Sequence, residues 1–564
     1  MLYVLCLSVA RLQPEILLLW IRSGAGEISP PDLFIKEGEK TAMTKADSAN
    51  GGAQARHTAA GPRRLKFCVG GQWRDTTSGR YMPVYNPSTG EVMAETPCCS
   101  PEEVNEAVEA AGRAFPSWSS QPVGVRVQVI FRYKAILDQH LDELSVLLAT
   151  EMGKNLQEAR GDVLKAIEVV ELACAVPVTM QGRSLMNVST GHDTVTYREP
   201  LGVFVGIAPF NFPAMIPFGW MIPLAITTGN TFVLKAASMV PQTGMRMLEL
   251  LQEAGLPDGV VNLVTCTRNE AEILLKHPVV KGVSFVGSTK VGRHVYSTAA
   301  AHGKRVQCLT EAKNHGLILR DAALERSARG IINSAFGCAG QRCMALPVVC
   351  VEEVVADKLV AYLVQFAQER KIGPAWLPET ELGPLVSPDQ KQWVVDWIEK
   401  GIQEGAKLVL DGRNVKVPGY EGGFFVGPTI FDHVTPEMRV GIDEIFGPVL
   451  CIKRVKNFEE GLAIMNASEF ANGASIFTQS GYYAREFARR THAGMVGINV
   501  GIPVPISVFP FCGHKNSFFG DLHVMGQDGI AFYTETKAVT THWFSEEEMK
   551  ETKVGTWDGT IFRT

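Results

Sequence analysis

Apolar residues recur at helical spacing early in the chain, at Val104, Ala107, Val108 and Ala111, the i, i+3, i+4, i+7 pattern of an amphipathic helix. The start of that helix is written just before it. Ser100 can cap, Pro101 suits the first helical position, and Glu103 completes a capping box. Helical patterning continues to about residue 180, whereas the preceding "LKFCVGGQWRDTTSGRYMPVYNPSTGEVMAETP" alternates and turns as strands do. From residue 203 the rhythm changes. "VFVGIA", "TFVLKA", "VVNLVT", "GVSFVG" and "RVQCL" are short β-rich runs separated by helical segments. This alternation predicts parallel βαβ units with right-handed crossovers, an α/β chain with a doubly wound parallel sheet of the nucleotide-binding kind. A second α/β stretch is expected from about 312 to 515. "TYREPLG" and "IAFYTETKAVTTHWF" read as exposed strands that pair between subunits. There is no internal repeat.

Composition narrows the class. The chain has 564 residues, 46% hydrophobic and 20% charged, enough for two or three domains at roughly 100–200 residues each. A net charge of −5 and a pI near 6.2 give no basic stripe for nucleic acid. Twelve cysteines are scattered without C-x-x-C pairs, so no structural metal is expected, and a reducing cytosol fits. The apolar run "MLYVLCLSVA" is far short of the roughly 20 residues a membrane span needs. Residues 1–65 read as a disordered extension or as sequence ahead of the true start, with Met43 the alternative initiator. Their acidic residues argue against a transit peptide.

Three motifs carry chemistry. "FVGSTKVG" (Phe285 to Gly292) ends a strand and opens a helix, so the amides after Ser288 can hold a phosphate. In "APFNFP" (Ala208 to Pro213), Asn211 either donates to an oxyanion or caps the next helix. "FGCAGQRCMALP" (Phe336 to Pro347) holds Cys338 and Cys343. On residues alone these are core thiols, a metal pair lacking further ligands, or a nucleophile whose thiolate is supported by Arg342 or by a helix N-terminus.

With "NPSTGE", "APFNFP", "FVGSTKVG", "GQRC" and "EIFGPV" in that order, the chain resembles the aldehyde dehydrogenase superfamily over about residues 66–545. Within it, "APFNFPAMIP", "AKNHG", "AGQRCMAL" and "GINVGIPVP" are similar to the CoA-acylating methylmalonate-semialdehyde dehydrogenase branch. The resemblance implies an NAD-binding domain over 66–311 with a bridging hairpin near 182–200, a catalytic domain over 312–515, and a bridging segment over 516–564 that builds a homotetramer. It makes Cys343 the nucleophile and Cys338 a bystander, with Asn211 and the Cys343 N–H as the oxyanion hole. Ala208, Phe210, Lys235, Ser238, Met239 and Ser288 fall at cofactor-pocket positions, Lys235 toward the adenosine ribose. Glu444 and Phe446 flank the nicotinamide ribose. The implied reaction oxidises malonate or methylmalonate semialdehyde with NAD through a Cys343 thioester. Loss of CO2 and transfer to coenzyme A then give acetyl- or propionyl-CoA. The implied partner is that small semialdehyde, with no nucleic acid and no membrane, in the cytoplasm or alternatively the mitochondrial matrix.

Three departures qualify the resemblance. Where many members carry a glutamate general base in L-E-L-G-G-K, this chain has "CLTEAKNH" and Leu309. Glu311 lies two residues on, about 6–7 Å along a strand. Without a base, water is a poor nucleophile, whereas a thiol needs less help, in agreement with CoA as acceptor. The K-P-S-E signature reads "KAAS", putting Ser238 in place of the acid that favours NAD over NADP. Two arginines are expected to grip the substrate carboxylate. Arg342 supplies one, while Lys165 in "GDVLKAIEVVE" stands for the other, with charge but no bidentate fork. The rival readings are a hydrolytic dehydrogenase using Glu311 or Glu444 as base, a non-catalytic protein keeping the fold, and a Cys–His hydrolase needing His315 or His514 beside Cys343.

Overall fold

The computed structural model describes residues 62–551; the expectations for Met43 and nearly all of the N-terminal extension lie outside them. The first long helix forms as its sequence dictates. It runs Pro101–Ser119, with Ser100 Oγ accepting from the Glu103 N–H and the Glu103 carboxylate accepting from the Ser100 N–H. Val104, Ala107, Val108 and Ala111 are all buried. Helices Val123–Gln139, Leu141–Met152 and Leu156–Cys174 follow. Asn155 caps the last of these, its side chain accepting from the Glu158 N–H.

The five expected β-runs are strands Val203–Ile207, Thr231–Lys235, Val261–Val264, Val280–Val286 and Arg305–Leu309. They lie parallel in an eight-stranded sheet, in the order 305–309, 280–286, 203–207, 231–235, 261–264. Strands 231–235 and 261–264 follow to one side of 203–207 and strands 280–286 and 305–309 to the other, so the order reverses between 203–207 and 280–286, which creates the crevice where doubly wound sheets bind ligands. One edge is closed by Phe67–Val69 and Gln72–Arg74. The other is closed by Phe518–Phe519, antiparallel to Arg305–Leu309. The segment after residue 515 is therefore not only a bridge, as expected, but an edge of the cofactor sheet. A strand of two residues carries too little pattern to be read in advance.

A second sheet has seven strands, with His315–Ile318 flanked by Val348–Glu352 and Gly473–Phe477. The third sheet is built from the two exposed strands read in the sequence and a short neighbour. His192–Pro200 and Thr534–His542 pair with each other along their full length, with Ser184–Ser189 on the other side of the former. Within the chain these strands pair with each other, which leaves the outer edges of Ser184–Ser189 and Thr534–His542 without a strand partner among the described residues. Among the described residues no helix is long and apolar enough to cross a membrane.

Candidate active site

The cysteine loop follows helix Leu324–Phe336 and turns through left-handed backbone, with φ of 51° at Cys338, 52° at Ala339 and 72° at Gly340. Such conformations cost roughly 1–3 kcal/mol each in non-glycine residues and persist only where neighbours impose them. Both oxygens of Glu158 accept the Cys338 N–H, at 3.0 and 2.9 Å. Gly340 is glycine for want of space as well as for its φ, since a Cβ would sit 2.1 Å from the Gly447 carbonyl oxygen. The cysteine turn is thus pressed against the "EIFGP" motif. Gly337 likewise leaves room for the Arg342 guanidinium, 2.4 Å from where its Cβ would stand.

Past the turn, the chain is pinned through Cys343. Its carbonyl oxygen accepts from Asn314 Nδ2 at 2.9 Å and Asn472 Nδ2 at 3.4 Å. Asn211 is buried, and its Nδ2 donates to the Gln341 carbonyl at 3.1 Å. It does not cap a helix; it reaches across to the residue two before the cysteine and keeps its second amide hydrogen available. Asn211 is held from behind. Lys154 Nζ donates to its carbonyl at 2.7 Å and to Asp162 Oδ2 at 3.0 Å, over the face of Phe212. This fully buried ion pair lies in one row with Glu158 and Lys165, since positions 158, 162 and 165 share a face of helix Leu156–Cys174.

Cys343, Phe210 and Phe212 are partly buried against the large apolar core that includes Leu309 and Met344. Burial, and then the nearby Glu444 charge, push its thiol up to about 12. The backbone N–H groups of Cys343 and Met344 and the Arg342 charge act the other way, favouring the thiolate, but burial outweighs them. Cys343 and Met344 form a turn, not a helix start. The Arg342 guanidinium is engaged elsewhere: Nη2 donates to Glu158 Oε1 at 2.7 Å and Nε to Cys338 Sγ at 3.1 Å. Cys338 is therefore no bystander in the structural sense; it is a partner of Arg342. Lys165 pairs with Glu168 at 2.6 Å, and Glu168 also accepts the Ser507 N–H at 2.6 Å. The structure records no contact that brings Lys165 to Arg342.

Glu444 accepts the Ala312 N–H at 3.0 Å, and burial raises its carboxyl to about 8, with the Glu311 charge adding to the rise. Phe446 sits at φ 58° and meets the Phe210 ring edge-on at 5.9 Å. On the far side of the cofactor sheet, Lys235 ends its strand and lines a cleft of about 200 Å³ with Ile207, Thr267, Phe285, Val291 and His294. Ala208 donates its N–H to the Lys235 carbonyl at 3.2 Å, extending the pairing of strands Val203–Ile207 and Thr231–Lys235 beyond their ends. Ser238 lies in the turn that follows, partly buried, and Met239 beside it is exposed. Ser288 is the N-cap of helix Thr289–Ala301 and makes no side-chain capping bond, which leaves its hydroxyl and the first-turn amides for a ligand phosphate. These residues fit a dinucleotide.

His315 and His514 each bond a backbone carbonyl, of Lys313 at 2.7 Å and His492 at 3.0 Å, so no Cys–His dyad is formed. Sequence reasoning missed Glu158, Lys154, Asp162, Asn314 and Asn472. The one signal available was the density of polar residues in "GKNLQEARGD" on an otherwise apolar helical pattern.

The profile of the aldehyde dehydrogenase family matches residues 73–539. Malonate-semialdehyde dehydrogenase 2 of Geobacillus kaustophilus is 50% identical over 483 residues, covering 86% of this chain and 99% of that protein. Malonate-semialdehyde dehydrogenase 1 of Geobacillus thermodenitrificans is 49% identical over 86% of this chain and 99% of its own. Among solved structures, methylmalonate-semialdehyde dehydrogenase of Oceanimonas doudoroffii superposes with a TM-score of 0.84 at 42% identity, covering 86% of this chain and 100% of that one. A Sinorhizobium meliloti protein whose crystal structure holds NAD gives 0.84 at 41% identity, over 86% and 99%.

Proposed function

The chain belongs to the aldehyde dehydrogenase family, and from that premise we propose that it oxidises malonate or methylmalonate semialdehyde with NAD and passes the decarboxylated acyl group to coenzyme A. Cys343 Sγ loses its proton and attacks the aldehyde carbon. The resulting oxyanion takes the free amide hydrogen of Asn211 and the Cys343 N–H. NAD, when bound by Lys235, Ser288 and the Glu444–Phe446 turn, supplies the hydride acceptor. The thiohemiacetal on Cys343 becomes a thioester, with the substrate carboxylate now β to the thioester carbonyl. The carboxylate leaves as CO2, its C–C bond electrons form an enolate on the same oxyanion donors, and a proton on carbon completes the acetyl or propionyl group. The thiol of CoA then displaces Cys343.

The observation that carries this reading is Leu309. It ends strand Arg305–Leu309, is 5% exposed, and packs in the cluster that holds Cys343. An apolar side chain at this position offers no proton acceptor, so the thioester awaits a better nucleophile. All cysteines among the described residues are free thiols, which supports a reducing compartment. The test is NADH formation from malonate semialdehyde, methylmalonate semialdehyde and propanal with CoA, with the product thioester identified by mass. Equal kcat/KM for all three would remove the assigned substrate class.

Arg342 keeps Nη1 without a partner among the described residues, free to meet a substrate carboxylate. Arg342→Leu is expected to lower kcat/KM for malonate semialdehyde by about 10- to 150-fold, from roughly 1.5–3 kcal/mol per charge-assisted bond, and to spare propanal. Equal loss on both would make Arg342 a support of the cysteine turn through Glu158 and Cys338. Lys165→Arg should tighten the semialdehyde KM where its fork finds room.

Cofactor choice follows from Ser238. With no carboxylate in the turn to repel a 2′-phosphate, NAD is preferred but NADP is accepted. Ser238→Glu should widen the ratio of kcat/KM for NAD over NADP. A wild-type preference for NADP would reverse the assignment.

A further inference from the structure

Two buried lysines of the second sheet lack a counter-charge. Register places Leu317, Cys350 and Lys453 side by side on adjacent strands, and His315 with Cys451 across Val348. Lys453 and His315 therefore share one face of the sheet. They are 4% and 5% exposed. Lys453 Nζ makes one hydrogen bond, to the Gly441 carbonyl at 3.2 Å. Lys313 Nζ spends its bonds on the carbonyls of Val440 at 2.9 Å and Asp443 at 2.5 Å. Among the described residues no carboxylate forms an ion pair with either ammonium. Gly441 makes room for the lysine, since a Cβ there would stand 3.0 Å from Lys453 Cε.

Over this face opens a cavity of about 460 Å³, lined by His315 and Lys453 and walled by Pro436, Ile442, Ala463 and Ile464. Glu469 is the one carboxylate at its lining, and Asn516 Nδ2 binds that group at 2.9 Å. His315 Nδ1 is taken by the Lys313 carbonyl, which leaves Nε2 as its free atom. Burial and the two neighbouring lysines push His315 down to about 3, so the ring is neutral, and burial also lowers Lys453. An ammonium held this way is stabilised by an anion brought to it. The volume is that of a small-molecule site, mostly apolar with few polar groups.

We propose that this cavity binds a small organic anion with an apolar body, its phosphate or carboxylate head on the Lys453 ammonium. His315 Nε2, the lone-pair atom of the neutral ring, accepts a hydrogen bond only from a protonated head group. The site is separate from the cysteine cluster and lies behind the 439–443 loop that leads to Glu444.

The test uses the full chain with phenyl phosphate, benzoate and inorganic phosphate as probes at constant ionic strength, read by calorimetry and thermal unfolding. Saturable binding of phenyl phosphate or benzoate is expected, tighter than inorganic phosphate because the apolar walls are then filled; the stronger of the two identifies the head group. Lys453→Met should weaken it at least about tenfold. Ala463→Phe, on the exposed side of helix Phe458–Ala467, should fill the cavity and abolish binding even where the lysine variant folds poorly. Arg342→Leu should leave binding unchanged. The proposal is overturned by absence of saturable binding in the wild type, by equal binding in Ala463→Phe, or by loss of binding in Arg342→Leu, which would put the probe at the cysteine site.

Discussion

Cys343→Ala ends NADH formation from every aldehyde, with a loss of at least about 10⁴-fold, the scale seen when a covalent nucleophile is removed. Asn211 Nδ2 binds the carbonyl of Gln341, two residues before Cys343, and Cys343 packs against the same apolar core as Leu309 and Phe210. Cys338 lies on the far side of Arg342, bonded to it and buried, and cannot substitute. Cys338→Ala should keep most NADH formation. A second readout separates chemistry from folding. Burial holds the Cys343 thiol up at about 12, so alkylation by iodoacetamide should be slow at neutral pH. It should then rise about tenfold per pH unit toward that value, since the thiolate is the reacting form. Equal loss of NADH formation in Cys338→Ala and Cys343→Ala would defeat the assignment and make the cysteines a working pair.

How far such a site is legible in sequence depends on how local its causes are. The capping box at Ser100–Glu103 and the five parallel strands were readable because each is set by a few adjacent residues. Resemblance then placed Cys343, Asn211 and Glu444 by motif. What stayed hidden joins distant segments. Glu158 meets Cys338 180 positions away along the chain, and Asn314 and Asn472 reach the Cys343 carbonyl from two different strand ends. The same distance effect hides other contacts. Arg342 stands beside Cys343 in sequence, yet its guanidinium bonds Glu158, 184 positions away. The pairing of His192–Pro200 with Thr534–His542 sets Thr194 against Thr540, 346 positions on, so neither strand shows its partner in its own sequence.

The helix Leu156–Cys174 emerges as the organiser of the site. Its first turns supply Glu158, which fixes the left-handed cysteine turn, and Asp162, which fixes Lys154 and through it Asn211. The proposed nucleophile, Cys343, and the proposed oxyanion donor, Asn211, are thus indexed to one rigid element, as preorganised catalysis requires.

Mixing enzyme, NAD and malonate semialdehyde without CoA should give a burst of NADH near one equivalent per active site, followed by slow turnover. The reason lies at the end of strand Arg305–Leu309. A glutamate there would take a proton from water attacking the thioester; Leu309 cannot, and it belongs to the apolar core against which Phe210, Phe212 and Cys343 pack. The remaining carboxylates are poorly suited. Glu311 gives its backbone carbonyl to Ser517 and lies past the strand end. Glu444 is held protonated up to about pH 8 by burial, so near neutrality it is mostly unable to accept a proton. Acyl-enzyme therefore accumulates until CoA arrives, whose thiol is far more acidic than water. Adding CoA should restore fast turnover and yield the thioester. Leu309→Glu should raise the CoA-free rate, and the pH profile of the wild-type CoA-free rate gives a further check. A rise through about pH 8 would assign the slow residual hydrolysis to ionised Glu444, and Glu444→Gln should flatten it. The steady-state rate without CoA decides the matter. A rate equal to that with CoA, producing free acid, would move this protein to the hydrolytic class and make Glu444 or Glu311 its base.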